Sequence, residues 1–170
     1  MVLGMPPLTF IHVVISLIGI GSGLVVLAGM LNAQRLDSWT ATFLSTTVLT
    51  SLTGFLLPAP HFLPSHAIGI LSIVVLAVAI AARYSFHLAG GWRTAYVVTA
   101  SIALYFNVFV LIVQSFLKVP SLHALAPTQS EPPFAIAQGT VLILFVALTI
   151  LAVKRFHPEP FVQARTAAAR

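Results

Sequence analysis

The stretch Leu8–Leu31, LTFIHVVISLIGIGSGLVVLAGML, runs for 24 residues without a Lys, Arg, Asp or Glu. A helix of about 20 predominantly apolar residues crosses the hydrocarbon core of a bilayer, so this stretch predicts a transmembrane helix. The preceding segment Met1–Pro7 has no Lys or Arg, and the apolar run is longer than that of a cleavable signal peptide. We therefore expect this helix to remain in the mature protein.

The whole chain is as apolar as this stretch suggests, with 59% hydrophobic residues, 6% charged residues and a mean hydropathy of +1.05. Soluble domains carry roughly a quarter charged residues. Prolines, glycines or charges bound four further apolar segments, which are Trp39–Leu57, Ser65–Ala82, Trp92–Leu117 and Phe134–Val153. The sequence therefore predicts an all-α integral membrane bundle of about five transmembrane helices over residues 1–156, followed by a short cytoplasmic tail, residues 157–170.

The Lys and Arg residues are distributed unequally between the two sides of such a bundle. One side has Lys118 alone, and the other has Arg35, Arg83, Arg93, Lys154, Arg155, Arg165 and Arg170. The cytoplasmic side of a membrane protein keeps the excess of Lys and Arg, which predicts an outer N-terminus and a cytoplasmic C-terminus. These residues form no continuous stripe, so we expect the lipid bilayer, and no nucleic acid, as the surroundings.

Several inner-side residues could bind an anionic lipid headgroup, namely Arg83, Tyr84, His87, Trp92 and Arg93. Basic and aromatic residues also occur at membrane interfaces simply as topology signals and anchors. We interpret these five residues in that second way.

Small and polar residues mark the faces by which transmembrane helices contact each other. On the first span, Gly19 and Gly23 share one helical face with His12, which we expect to point into the bundle. On the fourth span, Asn107 lies near the middle of the membrane, where an unpaired amide is costly. It should therefore hydrogen-bond a neighbouring helix.

The Ser/Thr-rich second span is the expected partner of Asn107, and Thr46 and Thr50 are the candidate contact residues. Hydroxyls along this span could also form a polar pathway. Interhelical and backbone hydrogen bonding is the favoured interpretation, because Ser and Thr in membranes form such bonds routinely.

The chain contains six histidines but only three acidic residues. Four of the histidines fall on the predicted outer side and are candidate metal ligands: His12, His61, His66 and His123. Neutral imidazole ligates metal ions and haem iron. For each histidine alone, a place as an interfacial residue is the favoured explanation, whereas for His12 and His66 as a pair the two explanations are balanced.

His12 and His66 lie on different helices at matching depth, as the axial ligands of a single b-type haem would. Gln114 and Gln138 fall at a similar depth, so we expect them beside such a cofactor. Copper is less favoured, because the chain has no cysteine and no cluster of methionines.

The sequence contains no HExxH, GxSxG, Walker or CxxC motif, and whether the protein is an enzyme stays open. Two functions remain as hypotheses. The first is electron transfer near a membrane quinone, through b-type haem or a metal bound by the outer histidines. The second is a non-catalytic accessory or assembly subunit of a larger membrane complex.

The segment Ala126–Phe134, APTQSEPPF, follows a short multi-span bundle that has a histidine early in its first span. In this combination the chain resembles small multi-pass bacterial membrane proteins that have no established activity. The resemblance implies a location in the bacterial inner membrane, and it implies no substrate, cofactor or site.

Overall fold

The computed structural model describes residues 6–57 and 64–157, with side chains for all of these except Pro64 and Ser65. The described residues form helices joined by turns and short loops, without any strand, which confirms the predicted all-helical class. The helices are α1 (Pro7–Leu31), α2 (Asp37–Phe55), α3 (Pro64–Ile80), α4 (Gly91–Lys118), α5 (Pro120–Leu125) and α6 (Pro132–Arg155). A π-helical turn, Ala81–Ser85, continues α3.

Four helical segments of the described chain are long and apolar enough to cross a membrane: Pro7–Leu31, His66–Ser85, Gly91–Lys118 and Pro132–Arg155. The helix α2 is not among them, because nine of its 19 residues are Ser or Thr. The structure therefore supports a multi-pass membrane protein with four candidate spans.

The helix α2 packs against α1, α3 and α4. Its C-terminal residue Thr53 meets His12 near the start of α1, and Leu36, just before α2, contacts Gly29 near the end of α1. The two helices are therefore antiparallel along most of their length. At 1.5 Å per residue, α2 is about 28 Å long, close to the thickness of a bilayer hydrocarbon core.

The helices α1, α2 and α4 pack closely where they meet at Gly23. A Cβ atom added to Gly23 would lie 2.6 Å from Cδ1 of Leu104 and 2.9 Å from the ring of Phe43. Gly23 therefore lets three helices approach more closely than a larger residue would. By contrast, a Cβ on Gly21 would have no atom within 4 Å, because Gly21 faces away from the bundle.

The helix α6 lies at the periphery and packs on α4 and α1. The chain between α4 and α6 contains the short helix α5. Pro120 occupies the first position of α5, where its missing N–H leaves no hydrogen bond unmade. Prolines likewise stand at the first turn of α1 and of α6.

Candidate functional site

At the end of the bundle where α1 begins, His12 is held against α2. Its Nδ1 lies 2.8 Å from Oγ1 of Thr53, and the Thr53 hydroxyl donates to the carbonyl oxygen of Leu49 at 2.7 Å. Since a hydroxyl has one proton, His12 Nδ1 must be the donor to Thr53. The ring is thereby fixed as the tautomer whose Nε2 carries a lone pair.

His66 contacts a different side of the same helix end. Its ring stacks on Phe55, with ring centroids 5.8 Å apart. Thr53 and Phe55 are two positions apart on α2, and side chains at this spacing point about 200° away from each other around a helix. His12 and His66 thus contact residues on different sides of α2, and their pairing as the two axial ligands of one haem stays a prediction.

The other predicted outer residues are dispersed. His123 lies on α5 with its Nδ1 3.3 Å from the carbonyl oxygen of Phe116, and Gln114 is exposed. His61 lies outside the described residues. Within the described chain, no three His, Asp or Glu side chains lie close enough to hold a metal ion.

Gln138 is buried, and its amide Nε2 donates to the carbonyl oxygen of Phe109 on α4 at 3.2 Å. In the preceding loop, Gln129 donates in the same way to Val113 at 2.8 Å. Phe109 and Val113 are one helical turn apart, so the two glutamines attach α6 and its approach loop to one line of α4 carbonyls. Gln138 therefore supports packing between helices at this point.

Glu131 directly precedes α6 and organises the loop before it. Its carboxylate accepts hydrogen bonds from the Thr128 hydroxyl at 2.9 Å and from the backbone N–H groups of Thr128 and Ser130. Desolvation is the largest single influence and acts to raise the pKa of Glu131, but the hydrogen bonds to the charged form together outweigh it and hold the pKa below its usual value.

In the middle of the bundle, Asn107 donates from Nδ2 to Oγ1 of Thr47 at 3.3 Å. The bond joins α4 to α2, the helix that the sequence predicts as its partner. A Cβ on Gly19 of α1 would lie 3.2 Å from the Thr46 hydroxyl and 3.5 Å from the Asn107 amide. Three helices therefore meet around one polar contact, and glycine provides the space for it.

The two threonines predicted as contacts of Asn107 have other surroundings. The Thr46 hydroxyl donates to the carbonyl oxygen of Thr42 in its own helix, and the Thr50 hydroxyl is buried without a hydrogen-bond partner. Further along α2, Ser51 donates to Ser72 of α3 at 3.2 Å. Most α2 hydroxyls thus bond to backbone or to a neighbouring helix, the interpretation favoured over a polar pathway.

At the end of the bundle that holds the turn between α1 and α2, the structure shows a buried cation, Arg83, which the sequence placed among interfacial residues. The Arg83 side chain is only 1% exposed. Its Nη2 donates to the Asp37 carboxylate and, at 3.0 Å, to the carbonyl oxygen of Arg35. Its guanidinium carbon lies 5.1 Å from the centre of the Tyr96 ring, a cation–π contact. Arg83 thus joins α3, α4 and the start of α2.

The π-helical turn at the end of α3 aims Arg83 inward. The Phe86 N–H donates to the carbonyl oxygen of Ala81 at 2.9 Å, five residues back, so this turn holds one more residue than an α-helical turn. Arg83 is buried here while Tyr84 and Ser85 are exposed. Its partner Asp37 is the one acid among the described residues at this end of the bundle, but it lies 46 residues away, and no local sequence pattern pairs it with Arg83.

Arg93 provides a second inner contact by donating from Nη1 to the carbonyl oxygen of Phe156 at 2.7 Å. Phe156 is itself buried, with its ring 6.0 Å from that of Tyr96. The end of α6 is thereby fixed to the start of α4.

Comparison with known proteins gives no relative, since no family model, curated protein or solved structure matches the chain.

Proposed function

We propose that the chain crosses the bacterial inner membrane five times, with α2 as the fifth transmembrane helix. The observation that supports α2 as a span is its antiparallel contact with α1 from His12 to Gly29. The hydroxyls of Thr42, Ser45 and Thr46 suit this position, because each donates to a backbone carbonyl of its own helix.

The proposed orientation places the N-terminus outside and the C-terminus in the cytoplasm. The end of the bundle that holds the α1–α2 turn carries five of the six basic Lys and Arg side chains in the described chain: Arg35, Arg83, Arg93, Lys154 and Arg155. The opposite end carries Lys118. This asymmetry is that of a cytoplasmic face.

We further propose that the protein is a non-catalytic accessory subunit of a larger membrane complex. Polar side chains at three depths hold its own helices together: His12 with Thr53, Asn107 with Thr47, and Arg83 with Asp37. These contacts give a preformed bundle, and the helix faces that point away from its centre are available to a partner.

The observation that carries this proposal is the unequal burial of the candidate spans. Only 11% of the membrane window of α6 is buried by the chain itself, against 28% to 33% for the other three candidates. A Cβ on Gly139 of α6 would meet no atom within 4 Å, and Ile143, one turn further, is 72% exposed. Small residues next to an open helix face allow another helix to approach closely.

Site-specific photocrosslinking in the native host tests this function. A photoreactive amino acid at Ile143 on α6 should give one discrete protein adduct. The same residue at Val74 on α3, which is 56% exposed, is the matched control and should give lipid adducts alone. Lipid adducts alone at both positions would refute the accessory-subunit proposal.

Redox-cofactor binding is the second candidate, and one observation favours it. The hydrogen bond to Thr53 leaves Nε2 of His12 as an acceptor, the form that ligates haem iron or a metal ion. A reduced-minus-oxidised spectrum of the protein purified from its host should then show a haem band that His12→Ala abolishes and His157→Ala leaves intact. A band unaffected by His12→Ala, or no band, would reject His12 as the ligand.

A further inference from the structure

The Arg83 guanidinium has more hydrogen-bond donors than the bundle satisfies. Its Nη2 has two acceptors, the Asp37 carboxylate and the Arg35 carbonyl oxygen, whereas its Nη1 is buried without any partner. A guanidinium offers a planar fork of N–H donors suited to two oxygens of one carboxylate or phosphate. In this structure only one arm of the fork is used.

Asp37 is shared by two cations. Arg35 and Arg83 both pair with the same oxygen of Asp37, at 3.5 Å for Arg35 Nε. The positive N-terminal end of α2 lies at the same place, because α2 begins at Asp37 and Leu36 provides no side-chain cap.

One side of the cluster is open. Whereas the Arg83 side chain is 1% exposed, that of Asp37 is 60% exposed. Asp37 therefore stands between the buried guanidinium and the surroundings. An anion that displaced this carboxylate would meet Nη2 directly and, with a second oxygen, could also meet Nη1.

The depth of the cluster indicates the kind of anion. It lies at the inner ends of α2 and α3, at the same end as Trp39 and Trp92, which are both exposed. Exposed Trp side chains at the ends of spans mark the level of the lipid headgroups, where phosphates of the cytoplasmic leaflet concentrate.

We propose that Arg83, with Arg35 and the N-terminal end of α2, binds the phosphate group of an acidic phospholipid of the inner leaflet, and that Asp37 occupies this position when no lipid is bound. The phosphate replaces Asp37 and accepts hydrogen bonds from both Nη1 and Nη2 of Arg83, while Asp37 turns to solvent. Arg83 therefore exchanges an internal partner, the Asp37 carboxylate, for a lipid phosphate.

The proposal predicts opposite effects for the two partners. Arg83→Gln should weaken binding of phosphatidylglycerol by about tenfold or more, the scale of a lost hydrogen-bonded charge pair. Asp37→Asn removes the competing carboxylate and should strengthen it. Since disruption of the fold would not tighten lipid binding, the second variant keeps the proposal testable even where Arg83→Gln folds poorly.

The measurement is native mass spectrometry of the full chain, released from nanodiscs of phosphatidylcholine alone or with phosphatidylglycerol, counting retained lipids. Arg155→Gln is the charge-matched control on an exposed side chain of the same membrane face. It should lower binding by about fivefold or less, the contribution of one surface cation. The double variant Asp37→Asn with Arg83→Gln separates the site from net charge, because it has the net charge of the wild type and should bind weakly.

Equal losses in Arg83→Gln and Arg155→Gln, or unchanged binding in Asp37→Asn, would overturn the proposal. A second experiment adds inorganic phosphate to the protein in nanodiscs of phosphatidylcholine alone. Phosphorus NMR then follows the signal of the inorganic phosphate and detects its binding. Binding there that depends on Arg83, without any preference for phosphatidylglycerol, would overturn the lipid as the source and assign the site to a soluble phosphate.

Discussion

Gly23→Ala is the substitution whose consequence follows most directly from the structure. The new methyl group would lie 2.6 Å from Cδ1 of Leu104 and 2.9 Å from two ring carbons of Phe43. Both neighbours are 1% exposed, so neither can move into open space. Overpacking of this kind costs about 1–3 kcal/mol in free energy of unfolding.

Gly21→Ala is the matched control, two residues away on the same helix. It gains the same helix propensity, about 1 kcal/mol, and its methyl group meets no atom within 4 Å. The propensity gain cancels between the two variants, so their difference of about 1–3 kcal/mol measures the packing term alone.

For a chain of this size that difference corresponds to roughly 2–10 °C in midpoint temperature, with Gly21→Ala the more stable variant. Tryptophan fluorescence during heating in one detergent, at one scan rate, measures it, since the chain has two tryptophans. Equal midpoints, or a higher midpoint for Gly23→Ala, would refute the close approach of α1, α2 and α4.

Two further predictions concern polar groups. Asn107→Leu should lower the free energy of unfolding by about 1 kcal/mol, as it leaves the Thr47 hydroxyl without its interhelical donor. Gln114→Leu on the exposed face of α4 should have little effect, and equal losses from the two would contradict a buried contact. In an NMR titration, Glu131 should show a pKa below that of an unfolded-state glutamate, and Thr128→Val should raise it. Because the folded-state pKa is the lower one, the stabilisation by Glu131 is present above the unfolded-state value and lost as pH falls through the folded-state value. A pKa unchanged by Thr128→Val would contradict the hydroxyl as a cause.

The positions of the long helices were predictable because each apolar run ends at a proline, a glycine or a charge. The prediction placed the first span at Leu8–Leu31 and the helix is Pro7–Leu31. The partner helix of Asn107 was also predictable, since α2 is the one segment rich in hydroxyls. Sequence did not identify Thr47 within α2, because the rotation of a helix about its axis depends on packing against several neighbours at once.

The positions of His12 and His66 around the bundle were likewise not predictable from sequence. Sequence places His12 and His66 at one depth, but it contains no information on which side of α2 each will lie. Depth follows from the length of an apolar run, whereas position around the bundle follows from the tertiary contacts of Thr53 and Phe55.

Arg83 could not be placed from sequence for a different reason. A cation at the end of an apolar run ordinarily extends toward water. Here the π-helical turn adds a residue to the helix and turns the side chain toward Asp37 and Tyr96. The favourable partners lie 46 and 13 residues away, so no local pattern signals the turn.

Cysteine accessibility tests most directly whether α2 passes through the membrane. The chain has no cysteine, so single substitutions can be made in the natural sequence. Ser38→Cys and Leu56→Cys stand at the two ends of α2, and both positions are exposed. In intact cells, a membrane-impermeant maleimide should label Leu56→Cys and should label Ser38→Cys only after the inner membrane is permeabilised. Equal labelling of both positions in intact cells, or protection of both, would place the two ends of α2 on one side and contradict the five-span topology.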